Sequence, residues 1–176
     1  RTSHLCAMNV PANDPALRTW IPVPAGSDFP IQNLPLGVGS WNGEPPVPVT
    51  RVGDTVIDLS ILADLGLLDG TGIAREAFLA PHLNELMKGG QVAVRALRAR
   101  LSDLLRHDNP ELRDDSASRE DALLPIAQVR MHVPVQIGDY TDFYSSRQHA
   151  YNVGCMFRDP ANALLSFAYT VLLGEV

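Results

Sequence analysis

Cysteine is scarce in this chain: Cys6 and Cys155 are the only two in 176 residues. Neither their number nor their spacing fits a disulfide framework or a zinc site. Thiol usage of this kind predicts a reducing, intracellular compartment, cytoplasmic in the simplest reading, with both thiols inert. Long apolar runs are missing too. Stretches such as residues 122–127 fall far short of the roughly 18 residues that a membrane span needs. Residues 5–10 are too short and too interrupted for the apolar centre of a signal peptide, and a start at Arg1 rather than Met leads us to expect a partial sequence. Positive charge is also thin, with 14 Lys and Arg against 20 Asp and Glu and a net charge of −6. The basic residues are scattered, so nothing marks the chain for nucleic acid or for an anionic membrane. No G-x-G-x-x-G or phosphate-cradling loop occurs, which leaves nucleotide binding unsupported.

What is present is a globular composition, 45% hydrophobic and 19% charged, enough for one medium domain or for a small domain plus part of another. Residues 11–48 are rich in Pro, Gly, Asn and Ser and read as irregular chain with short strands. Residues 47–59 read as a hairpin, with Val47, Val49 and Val52 on one arm, Thr55, Val56, Ile57 and Leu59 on the other, and Gly53-Asp54 as the turn. Ser60 or Asp58 then caps a short helix that Gly66 ends. A second helix falls around residues 75–87, broken or restarted at Pro81. A third covers residues 91–105, where Leu97, Leu101, Leu104 and Leu105 share a face and Arg95, Arg98, Arg100 and Asp103 lie elsewhere. Residues 106–121 are charged and almost free of apolar side chains, which predicts a surface segment between two structural units. A strand is expected around residues 126–133, framed by Pro125 and Pro134.

The densest polar and aromatic stretch is Ile137-Gly-Asp-Tyr-Thr-Asp-Phe-Tyr-Ser-Ser-Arg-Gln-His149. Asp142 and Tyr144 flank Phe143, so an extended chain turns the carboxylate and the phenol to one side and the phenyl ring to the other. Ser145 with Gln148 has the spacing of a capping box, predicting a helix from Ser146 that Asp159-Pro160 stops. His149 then sits in or just after the first turn. The positive end of the helix dipole disfavours an imidazolium there, and a neutral imidazole is a usable base. The ordinary readings compete: an Asp before a cap is commonly a structural hydrogen-bonding residue, and a lone His on a helix is commonly unremarkable. Ser145 and Ser146 lie near His149, but no G-x-S-x-G elbow exists to make either a nucleophile.

The string Gly138-Asp-Tyr-Thr-Asp-Phe-Tyr-Ser-Ser-Arg-Gln-His149, continued by Asn152-Val-Gly154 and Met156-Phe-Arg158, closely resembles the signature of the fumarylacetoacetase family. Upstream support comes from Ser27-Asp-Phe-Pro-Ile-Gln-Asn-Leu-Pro35 with Gly37, from Gly53-Asp54 and Ile57-Asp-Leu-Ser60, and from Met131-His132 with Pro134. The resemblance implies an α+β fold, mainly β with some helix. A small SH3-like barrel domain would occupy residues 20–129, and residues 130–165 would begin a β-rich catalytic domain. Residues 1–19 stand as an unplaced extension and residues 166–176 as a divergent tail, so a truncated chain is expected. The activity implied is hydrolysis of a carbon–carbon bond in 4-fumarylacetoacetate, yielding fumarate and acetoacetate, in tyrosine and phenylalanine catabolism. By resemblance His149 is the catalytic base, Asp142 a ligand of a Ca²⁺ or Mg²⁺ ion, and Tyr144 and Arg158 contact the substrate. Whole members of the family are expected to be cytoplasmic homodimers. A chain lacking the remaining acidic ligands is expected to be inactive alone. The alternative is a non-catalytic N-terminal fragment that folds or binds a full-length partner; an acylpyruvate hydrolase is disfavoured, because such relatives generally lack the N-terminal domain represented by residues 27–35.

Overall fold

The computed structural model describes residues 11–139 and 146–157. The chain divides into two compact units, residues 1–136 and 137–176. The first holds an antiparallel five-stranded sheet, α+β in class, curled into an open half-barrel. Its strands are β1 (Gly37–Ser40), β2 (Val47–Val52), β3 (Thr55–Asp58), β4 (Leu123–Pro125) and β5 (Arg130–His132), in the order β4-β3-β2-β1-β5. Five short helices, α1 (Leu59–Asp64), α2 (Asn84–Met87), α3 (Gly90–Leu104), α4 (Pro110–Arg113) and α5 (Ser116–Ala122), complete the first unit; α6 (Arg147–Phe157) lies in the second. Among the described residues no helix is long and apolar enough to cross a membrane.

The expected hairpin is present. Val52 pairs with Thr55 and Val49 with Asp58, leaving Gly53-Asp54 as a two-residue loop. Gly53 is required there twice over. Its φ of +55° lies in the left-handed region that side chains disfavour, and a Cβ at this position would stand 2.5 Å from the Pro22 carbonyl oxygen. The turn is pinned further by the Gly53 amide, which donates to the Phe29 carbonyl at 2.8 Å, and by Arg51, whose guanidinium lies 4.0 Å above the Phe29 ring. Gly53→Ala should therefore cost about 2–4 kcal/mol, the sum of a left-handed penalty and a backbone clash. Urea unfolding checks this, and a loss under about 0.5 kcal/mol, the size of an ordinary surface change, would contradict it.

The core lies between the sheet and the helices. Val38, Val52 and Ile57 from the strands meet Leu62, Phe78, Leu86, Leu97, Leu101 and Leu104, all essentially inaccessible to solvent. The stripe Leu97, Leu101, Leu104 is the one anticipated for the third helix, and α3 begins one residue earlier than the periodicity predicts. The second expected helix is two pieces, a 3₁₀ turn (Arg75–Phe78) and α2, with Pro81 between them. Pro81 can neither donate to a helix nor let the preceding residue stay helical with ease.

Two expectations fail. Residues 106–121 are not a surface segment between units: α4 and most of α5 lie there, inside the first unit, with Leu112 buried in its core and Ala122 of α5 beside it. Each helix is capped by a side chain, Asn109 accepting from the Glu111 amide at 2.9 Å and Asp115 from the Ser118 amide at 3.1 Å. Caps and one buried apolar residue per helix do the work that a periodic stripe does in α3. Nor do residues 126–133 form one strand. β4 pairs with β3, a 3₁₀ turn (Ile126–Gln128) follows, and β5 pairs with β1 at the opposite edge. Pairing with β1 places Arg130–His132 in the sheet, and the first unit continues past residue 129 to Gln136.

Asp58 shows why the helix after the hairpin starts where it does. Its carboxylate caps α1, accepting from the Ser60 amide at 2.7 Å, the Ser60 hydroxyl at 2.6 Å and the Ile61 amide at 3.4 Å. Burial pushes the carboxyl above the ordinary carboxylate value, and those hydrogen bonds only partly oppose it. The native state therefore holds this proton more tightly than the unfolded chain does. Asp58's contribution to stability is full below about pH 3.8 and is lost as pH rises through its raised native value. The exposed Asp108, Asp114 and Asp115 run the other way, their carboxyls held down by Arg106, Arg113 and Ser118 respectively. Asp58→Asn keeps a cap acceptor and removes the charge. Urea unfolding at pH 4 and pH 7 should show the stability difference moving in favour of the Asn variant as pH rises; movement toward the native chain would contradict the burial argument.

Candidate catalytic segment

The chemistry expected from the sequence falls in the second unit, on and around α6. Ser146 precedes the helix. Its hydroxyl oxygen accepts from the His149 amide at 3.4 Å, and its hydroxyl donates to Gln148 Oε1 at 3.2 Å. Ser146 therefore stands in the capping position, one residue after the Ser145 that the sequence pattern favours, and α6 begins at Arg147. Ser145 itself lies outside the described residues.

His149 is the third residue of α6 and its side chain is exposed. The first turn of the helix turns unpaired amides and the positive dipole end toward this level of the chain. Toward the other end of α6, Val153, Gly154 and Cys155 are half-buried, while Met156 and Phe157 are 77% and 81% exposed. Asp142, Tyr144 and Arg158, the other three site residues expected from the sequence, lie outside the described residues, as does the stop at Asp159-Pro160. Of the four, only His149 can be placed. Among the described residues no group of three or more His, Cys, Asp or Glu could hold a metal ion.

Elsewhere in the first unit the sequence drew no attention to a cavity of about 600 Å³ beside α3, lined by Pro11, Ala12, Leu17, Arg95, Arg98 and Arg106, among others. Two of its arginines are already engaged. Arg98 donates to Asn13 Oδ1 at 3.0 Å and to the Gln32 carbonyl, and Arg106 is paired with Asp108 at 2.5 Å. These are structural ties rather than a built site. His132 accepts or donates a 2.8 Å hydrogen bond with Ser40 across β1 and β5. That pair fastens the edge strand β5 to β1.

Comparison with known proteins decides what this arrangement belongs to. The family described as Fumarylacetoacetase N-terminal matches residues 32–134, which is most of the first unit. The chain belongs to the fumarylacetoacetase N-terminal family. It is 47% identical over 148 residues to fumarylacetoacetase of Homo sapiens, 42% over 151 residues to that of Arabidopsis thaliana and 41% over 152 residues to that of Caenorhabditis elegans. These alignments cover 84–85% of the chain but only 35–36% of each fumarylacetoacetase. The chain thus spans about a third of the length of the relatives it matches.

Proposed function

We propose that this chain supplies the N-terminal part of a fumarylacetoacetase, a hydrolase that cleaves 4-fumarylacetoacetate to fumarate and acetoacetate in tyrosine and phenylalanine catabolism. The observation that carries the reading is 41–47% identity to fumarylacetoacetases of animals and a plant across most of the chain. In this reading His149 takes a proton from water as the oxygen adds to a carbonyl carbon. The carbon–carbon bond then breaks, and its electron pair leaves with the acetoacetate fragment as an enolate, which takes up a proton. Arg158 pairs with the substrate's carboxylate end and Tyr144 donates a hydrogen bond to it. Cytoplasmic location and a homodimeric whole enzyme belong to the same reading.

Ca²⁺ or Mg²⁺ belongs to it as well, with Asp142 as one ligand. The donor set in this chain does not fit such an ion by itself. Calcium takes six to eight oxygens, whereas Asp142 is the only acidic ligand proposed here and the described residues contain no cluster that could complete the shell. No step is assigned to the ion. The coverage of about a third of each relative also favours a second reading, a non-catalytic N-terminal fragment that folds or binds a full-length partner. One experiment separates the two. Residues 1–165 are fused to the C-terminal part of the human relative, and loss of 4-fumarylacetoacetate is followed. The first reading expects turnover; a folded but inactive fusion would contradict it.

A further inference from the structure

The first unit ends at an unusual fastening. Pro134 follows β5 by one residue, and its carbonyl accepts from the Leu83 amide at 2.8 Å. Next along the chain from Leu83, Asn84 grips the main chain of Gln136, two residues past Pro134, from both sides. Its Nδ2 donates to the Gln136 carbonyl at 2.9 Å, and its Oδ1 accepts from the Gln136 amide at 2.8 Å. A primary amide carries one acceptor and two donors in a plane, so it can stand in for a peptide group of a neighbouring strand. Two bonds to one residue fix orientation as well as distance, which a single bond does not.

The position of Asn84 sharpens the point. It is the first residue of α2, one past the cap position, which Leu83 occupies. At α4, by contrast, an asparagine stands in the cap position itself, Asn109 accepting from the Glu111 amide. α2 has no side-chain cap. Asn84 is instead turned to main chain 52 residues away, on the last residue of the first unit. The chain from Ile137 onward carries Asp142, Tyr144, His149 and Arg158. Neighbouring contacts keep the grip in place: Leu83 is buried in the core, and Val135 is packed against it.

We propose that Asn84 is a positioning residue, an amide clip that fixes where the main chain leaves the five-stranded unit on its way to the segment bearing Asp142 and His149. This rests on the fumarylacetoacetase reading of that segment. A clip of this kind acts on the placement of catalytic groups, so its loss lowers kcat more than it raises KM. An ordinary surface hydrogen bond would do neither.

The test has two arms, on the chain itself and on the fusion described above. In the chain, hydrogen exchange of the Gln136 amide is compared between the native sequence, Asn84→Ala and Asn84→Asp. Asn84→Ala should speed that amide at least about tenfold, with the β2–β3 ladder unchanged, because the acceptor is gone. Asn84→Asp retains an acceptor for the amide and should stay nearer the native rate. In the fusion, Asn84→Ala should lower kcat about tenfold or more with KM changed less than about threefold, and Asn84→Asp should recover part of the loss. Unaltered exchange at Gln136 in Asn84→Ala overturns the clip. Faster exchange with unchanged kcat overturns the positioning role. An inactive native fusion counts against the functional reading, and the clip is then judged by the exchange arm alone.

Discussion

Given 4-fumarylacetoacetate, the isolated chain should convert it no faster than background, at least about 10⁴-fold below the rate of a whole relative. The chain spans about 35% of the human fumarylacetoacetase that it matches, and the site residues proposed on it fall in one segment. A histidine can act as a base only when a third group orients its ring and a polarised carbonyl stands within reach of the water it activates. Among the described residues there is no cluster of His, Cys, Asp and Glu to serve as a cation site. Members of a catalytic constellation act as a unit, so removing several costs about as much as removing the indispensable one. Purified chain assayed by substrate loss checks this. Turnover within about a hundredfold of a whole relative would show that residues 1–176 hold a complete site.

How far the sequence could be read depended on how locally each feature is specified. The β2–β3 hairpin was legible because Gly53-Asp54 encodes its turn and the valines of β2 mark its arm. α3 was legible because four leucines over nine positions state its buried face. α4 and α5 were not, since four- and seven-residue helices carry too few apolar positions to show a period; Leu112 and Ala122 are read as core only once the sheet is in place. The split of residues 123–132 into β4 and β5 was hidden for a related reason. Leu123–Pro125 and Arg130–His132 sit at opposite edges of one sheet, and the 3₁₀ turn joining them is visible only after the sheet has curled. Gly39 supplies a trace of that closure, because a Cβ there would meet Val129 Cγ1 at 2.7 Å.

The catalytic segment was legible as a string and not as a geometry. The order of residues from Gly138 to Arg158 carried most of the resemblance, and the family match to residues 32–134 lies upstream of that string. Those are independent pieces of the chain pointing to one family. The cap is Ser146, whose hydroxyl accepts from the His149 amide, a choice between two adjacent serines that residue types alone do not make. Nothing in the sequence marks Asn84, because its partner, Gln136, is 52 residues distant.

If α6 brings the base of a carbon–carbon hydrolase, as proposed for His149, removing that base must cost rate. In the fusion of residues 1–165 to the remaining part of the human relative, His149→Ala should lower kcat by about 10²–10⁴-fold, the range that general base catalysis supplies. His149 is exposed, and its main-chain amide donates to Ser146 Oγ. Circular dichroism and unfolding of the same samples establish whether the fold is kept. The measurement is kcat for the two fusions, side by side, at neutral pH. A loss in that range with an unchanged fold is the predicted result, and equal kcat in the two fusions would contradict the claim.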